Sequence, residues 1–152
     1  LEAFKKLREE RNDVHFIVLG EPDPQHPTDT FDLNSLESVS HVGWQDDPAP
    51  YLAISNTLLF PSEREGMPVC VMEALSMGIP VLALGTRGAN DLAQLSTLVV
   101  LMPLSFVGLL AEMKNLVSCN MNELSDCEGA TRLRNCLSRH LYYNFVFAEI
   151  SE

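Results

Sequence analysis

A chain of 152 residues with 46% apolar and 20% charged residues can bury one good core and has the balance of a single folded domain, not of a disordered segment. Its formal net charge of −11 and pI near 4.7 exclude binding to nucleic acid or to anionic lipid by bulk electrostatic attraction. The four cysteines, Cys70, Cys119, Cys127 and Cys136, show neither C-x-x-C nor Cys/His metal spacing, so no metal is expected and reduced thiols in a cytoplasmic protein are the simple reading.

In chain order, about Glu2 to Arg11 reads as an amphipathic helix that turns Ala3, Phe4, Leu7 and the Lys6 stem toward a core and ends at Asn12-Asp13. This stretch lacks the apolar run of a signal peptide and an initiator Met, so the chain is expected to be an excerpt or a truncated product. Val14 to Gly20 has the continuous apolar character of a buried parallel strand, with Gly20 opening a loop at the carboxyl end, where ligands of open α/β sheets bind. His15 within it is read as a packed core histidine. Glu21 to Asn34, with Pro22, Pro24 and Pro27, is a surface loop, and Ser35 to Ser38 one helical turn. Val39 to Val42 is a short strand, left through Gly43-Trp44. Asp46-Asp47-Pro48 then caps a helix reaching Ser55. Trp44 is expected to cover the sheet edge as an apolar lid, with stacking on a base as the alternative.

The most informative stretch follows. Thr57 to Phe60 is an apolar strand; Pro61-Ser62 leads into a polar turn holding Glu65-Gly66; a helix from about Met67 to Met77 stops at Gly78 before Pro80. Pro68 suits a first helical turn, where a missing N–H costs nothing. Val69, Met72, Leu75 and Ser76 recur at helical spacing as the expected core face, with Glu73 on another side. Eight residues separate Glu65 from Glu73, at most about 12 Å along a helix, which is roughly the reach of a nucleotide-sugar from hexose to ribose. A carboxylate accepts two hydroxyl hydrogen bonds at once, as a vicinal diol offers, and the helix start between them favours a phosphate. Spacing alone favours the plainer reading, with Glu65 stabilising the helix start and Glu73 simply solvated.

Ile79 to Leu84 is the next strand, ending in Gly85-Thr86-Arg87-Gly88, a loop in which Arg87 either contacts a phosphate or pairs with Asp91. A short helix begins at Ala89, and Thr97 to Met102 is a further strand. From Leu92 to Ala111 twenty positions carry no charge, the length of a membrane span. Pro103, the polar Gln94, Ser96, Thr97 and Ser105, and the β-branched Thr97-Leu98-Val99-Val100 instead favour a strand, a turn and a helix from Ser105 to about Leu116. Ser118 to Asn122 is a loop, and Glu123 to about Phe147 one or two helices. The aromatic end, Leu141 to Phe147, needs a surface to pack on. The alternation predicts an α/β, Rossmann-like parallel sheet of about five strands with helices on both faces over residues 1–117, and a helical tail over 118–152.

The string P-S-x-x-E-G-x-P-x-x-x-x-E-A-x-x-x-G-x-P-V, from Pro61 to Val81, resembles the donor-site signature of family 4 retaining glycosyltransferases of the GT-B fold. His41 to Pro48, Tyr51 to Ser55 and Arg87 to Leu92 resemble its flanks in capsular and exopolysaccharide enzymes, so the likeness spans about Leu1 to Pro103. The resemblance implies the C-terminal, donor-binding half of such an enzyme, with its first strand missing. Glu65 would lie at the hydroxyls of the transferred sugar as the catalytic carboxylate, Glu73 would hold the ribose diol, and the N–H groups of Gly66, Met67 and Val69, with Arg87, would line the sugar and phosphates. It implies a nucleoside diphosphate sugar as donor, no cofactor or obligatory metal, a missing N-terminal acceptor domain as partner, and membrane association only through the acceptor. The family's phosphate-clamping Arg and Lys come from a segment before Leu1, and Gly20-Glu21-Pro22 departs from the Gly-x-Gly of many relatives, so the isolated chain is expected to transfer little. The alternative is a truncated, non-catalytic binding or interaction module.

Overall fold

A computed structural model describes residues 2–20, 36–63, 65–103, 105–118 and 143–148. They form α1 (Glu2–Glu10), β1 (Val14–Leu19), β2 (Val39–His41), α2 (Ala49–Ala53), β3 (Thr57–Phe60), α3 (Val69–Ser76), β4 (Val81–Ala83), α4 (Arg87–Leu95), β5 (Val99–Leu101), α5 (Phe106–Ser118) and β6 (Tyr143–Ala148). Every strand pairing is parallel, in the order β2-β1-β6-β3-β4-β5.

Side-chain alternation along the strands divides the core into two layers. Ile17 and Leu19 of β1, Leu58 and Phe60 of β3, Val81 and Ala83 of β4 and Val99 of β5 meet Leu52 of α2, Cys70, Val71 and Ala74 of α3 and Ala89 and Leu92 of α4. Phe16 and Val18, Leu59 and Leu82 face the other way, against Ala3, Phe4 and Leu7 of α1 and Met113, Leu116 and Val117 of α5. Phe4 stacks on Phe16 with ring centroids 5.0 Å apart, and Lys114 of α5 pairs with Glu10 of α1 at 2.7 Å. The result is the expected Rossmann-like sheet with helices on both faces.

Several expectations need correction. The Lys6 stem does not reach the core; it is exposed and pairs with Glu9, while Leu7 takes the buried position. Beside the expected five strands, the described residues include a sixth: residues 143–148 are an interior strand where the sequence reading places one or two helices. The rest of the expected tail, 119–142 and 149–152, and the loop 21–35 lie outside the described residues. The core face of α3 is Cys70, Val71 and Ala74, not the stripe through Val69 and Met72, which are 59% and 39% exposed. A helix apolar nearly all round offers several stripes at 3.6 spacing, so periodicity does not choose among them; contact with β3 and β4 does. The uncharged run from Leu92 resolves into the end of α4, β5, a turn and α5, and no helix among the described residues is long and apolar enough to cross a membrane.

Candidate functional site

Parallel strands point all their carboxyl ends to one edge, so the chain leaves β1, β2, β3 and β4 on that side of the sheet. At β1 the turn is made by Gly20, whose φ of 109° suits only glycine, and it is pinned by its N–H to the Gly43 carbonyl at 2.9 Å and by His41 Nε2 on its own carbonyl at 2.8 Å. Trp44, beyond β2, is not the expected lid: it is 61% exposed, with its indole N–H donating to Asp46 at 3.1 Å. His15, expected in the core, is part-buried and bonded to Ser40 Oγ at 2.9 Å, and burial first, then Arg8, depress its pKa.

From β3 the chain enters Pro61-Ser62, and Ser62 Oγ donates to Glu65 Oε1 at 3.0 Å, holding the first carboxylate beside the turn. α3 begins at Val69 rather than Met67, with Pro68 as its extended N-cap residue (φ −73°, ψ 111°). No side chain caps this helix start, and among the described residues the N–H groups of Gly66, Met67 and Val69 find no backbone acceptor. Such a terminus carries donors and a positive dipole end toward solvent. Glu73, one turn on, is half-buried, and its carboxylate has no hydrogen bond or ion pair among the described residues.

Glu65 and Glu73 converge on one neighbour. The Cys70 thiol is pushed up to about 12, first by burial, then by the negative charge of Glu65 and, more weakly, of Glu73. A buried thiol so raised is an inert packing group.

Arg87 is not in a loop; it is the first residue of α4, capped by Thr86, whose Oγ1 accepts from Ala89 N–H at 3.4 Å. Asn90 ties the preceding turn down through the carbonyls of Gly85 and Thr86 at 2.8 and 2.7 Å. Arg87 is exposed and makes no ion pair with Asp91 among the described residues. The residue that decides where it stands is Gly88. A Cβ there would lie 2.1 Å from the Gly66 carbonyl oxygen and 2.9 Å from Pro68 Cδ, so α4 begins directly against the turn that opens α3. Two helix starts thus meet at the carboxyl ends of β3 and β4, with Glu65 in the turn before one of them and Glu73 one turn into its helix. Sequence reasoning missed the part of Gly88; its signal was a glycine in the first turn of a helix, a position that offers no conformational need for one.

An open groove of about 340 Å³, lined by Phe4, Lys5, Arg8, Glu9, Leu36 and Glu37, lies by α1 at the opposite, amino-end edge of the sheet. The elements described above do not converge there. No group of His, Cys, Asp and Glu among the described residues has the arrangement of a metal site.

A doubly wound parallel sheet with an anion-favouring helix start beyond its carboxyl ends defines a Rossmann-like unit. Sequence comparison specifies it further: the pattern of the glycosyl transferases group 1 family matches residues 1–117, and the chain belongs to that family. It is similar to an uncharacterized glycosyltransferase of Methanocaldococcus jannaschii, 32% identical over 85 residues, which is 55% of this chain and 21% of that protein. It is also similar to a UDP-Gal:alpha-D-GlcNAc-diphosphoundecaprenol alpha-1,3-galactosyltransferase of Escherichia coli, 33% identical over 63 residues, 41% of this chain and 16% of that one. The matched stretches therefore span about a fifth or less of those relatives.

Proposed function

We propose that this chain is the donor-binding part of a glycosyltransferase that moves a sugar from a nucleoside diphosphate sugar to a hydroxyl acceptor with retention. The observation that carries the reading is Glu73: a half-buried carboxylate that has no partner among the described residues, one turn inside an uncapped helix start. A structural acid would be paired or fully solvated; this one is half-buried, with its carboxylate acceptors unused among the described residues. In this reading Glu73 binds the ribose diol, and Glu65, positioned by Ser62, binds hydroxyls of the transferred sugar as the catalytic carboxylate. The N–H groups of Gly66, Met67 and Val69 receive sugar and phosphate oxygens, and Arg87 supplies positive charge beside them. The bond from the anomeric carbon to the phosphate oxygen breaks, the nucleoside diphosphate leaves with the electron pair, and the acceptor oxygen bonds to the same face. The acceptor proton passes to the departing phosphate. Positive groups stabilise that leaving charge without an obligatory metal.

The partner in this reading is an acceptor-binding domain across the cleft, and the exposed Met67, Val69 and Met72 offer it an apolar face at the site. The setting is cytoplasmic, with contact to a membrane only through the acceptor. In this reading transfer depends on that wall, and residues 1–152 without it transfer little. A second reading, a non-catalytic binding module, is favoured by one observation: β6, from beyond the family-matched residues, completes the sheet.

Thermal unfolding with UDP, GDP, ADP and their sugar conjugates, beside Glu73→Ala, tests the reading. Ligand at one hundred times its dissociation constant adds about 2.7 kcal/mol of stability. A shift with one nucleotide, lost in Glu73→Ala, is the expected outcome; equal shifts in both proteins would remove Glu73 from the site.

A further inference from the structure

The two carboxylates of the site are held by different means. Glu73 stands on α3, whose backbone already restricts its rotamers; Glu65 stands in a turn, where a glutamate is among the costlier side chains to order. Ser62 supplies the restraint. A serine in a turn commonly bonds a nearby backbone group, but this hydroxyl donates to Glu65 Oε1 at 3.0 Å, and both residues are half-buried. Oε2 keeps its acceptor positions, with no hydrogen bond or ion pair among the described residues.

The backbone beside Glu65 is set as well. The carbonyl oxygen of Gly66 lies where a Cβ on Gly88 would come within 2.1 Å of it, so α4 backs the turn. A Cβ on Gly66 itself would meet nothing within 4 Å, so the turn is open there. One carboxylate oxygen is thus tethered while the other is left for a ligand hydroxyl. A side chain ordered in advance gives up less freedom on binding than an unrestrained one.

We propose that Ser62 is a positioning residue for the sugar half of the donor: it acts through Glu65, sets recognition of the glycosyl group, and takes no part in holding the nucleotide. The inference rests on the donor reading above. It is tested by calorimetric titration of the full chain with UDP, GDP and ADP beside UDP-glucose, UDP-galactose, UDP-N-acetylglucosamine, GDP-mannose and ADP-glucose. The quantity read is the ratio of each bare diphosphate's dissociation constant to that of its conjugate. Ser62→Ala lowers this ratio about tenfold, the scale of a lost hydrogen bond to a charged group. The bare diphosphate's own constant stays within about twofold. Ser62→Thr, which keeps the hydroxyl, keeps the parent's ratio. In a Glu65→Ala background, where nothing remains to be positioned, Ser62→Ala changes the ratio no further. A serine with a merely structural role would weaken both ligands together. Constants that rise together, a ratio unmoved by Ser62→Ala, or a further loss in the Glu65→Ala background would each overturn the proposal. Glu73→Ala separates the two readings. If no probe binds the parent, or bare diphosphate binds Glu73→Ala equally well, the donor reading falls and this inference with it; Glu73-dependent binding with a ratio indifferent to Ser62 sinks the inference alone.

Discussion

Replacing Gly88 by alanine puts the geometry of the site to a direct test. The added Cβ would sit 2.1 Å from the Gly66 carbonyl oxygen, where contacts under 3.0 Å are essentially never found, so α4 and the 66–68 turn must part by about 1 Å. The obstacle is backbone, which cannot swing aside as a side-chain tip does. Overpacking of this kind costs about 1–3 kcal/mol. For a chain of this size each kcal/mol moves the midpoint by about 2–4 °C, so a fall of roughly 5 °C is expected. Were α4 free of the turn, the same change would instead raise stability by up to about 1 kcal/mol, because alanine is the better helix former. The sign of the shift therefore decides the matter. Gly66→Ala is the control: nothing lies within 4 Å of its Cβ and its φ is not positive, so the fold should hold. Thermal unfolding of the three proteins, with and without the nucleotide that stabilises the parent, gives the answer. A Gly88→Ala protein as stable as the parent, with its nucleotide response intact, would refute the close approach of the two helix starts.

Further outcomes follow from burial and charge. Phe60→Ala removes a ring with 0% exposure at the carboxyl end of β3 and should cost about 3–5 kcal/mol in chemical denaturation. Cys70, pushed up to about 12 from its ordinary 9.0, should carry about 1,000-fold less thiolate than an exposed cysteine and resist iodoacetamide at pH 8 until the chain unfolds, as peptide mapping would show. His15 has a folded pKa below its ordinary 6.5, so the unfolded chain binds more protons in the interval between the two. Its contribution is complete above the ordinary value and is lost as pH falls from there through the folded value. His15→Asn should flatten the stability profile across that interval, and a profile unchanged by the substitution would refute the assignment.

Sequence alone determined the elements whose signals are local. The turn residues Gly78 and Pro80, the apolar strands from Val14, Thr57 and Val81, and the alternation of strand and helix fix a parallel Rossmann-like sheet, because they act within one element or at one junction. The spacing of Glu65 and Glu73 about a helix start was legible for the same reason. What tertiary structure decided are choices among locally equivalent options. α3 is apolar on several sides, and only contact with the sheet selects Cys70, Val71 and Ala74 over Val69 and Met72. Gly88 is unremarkable in its own helix and is required only by the Gly66 carbonyl, twenty-two residues away in sequence, that presses on it. Residues 143–148 carry the same aromatic and β-branched character whether they pack as helix or strand. Two rows of unpaired backbone on β1 and β3 make them a strand, since hydrogen bonds between distant segments satisfy groups that no local pattern in the sequence reveals.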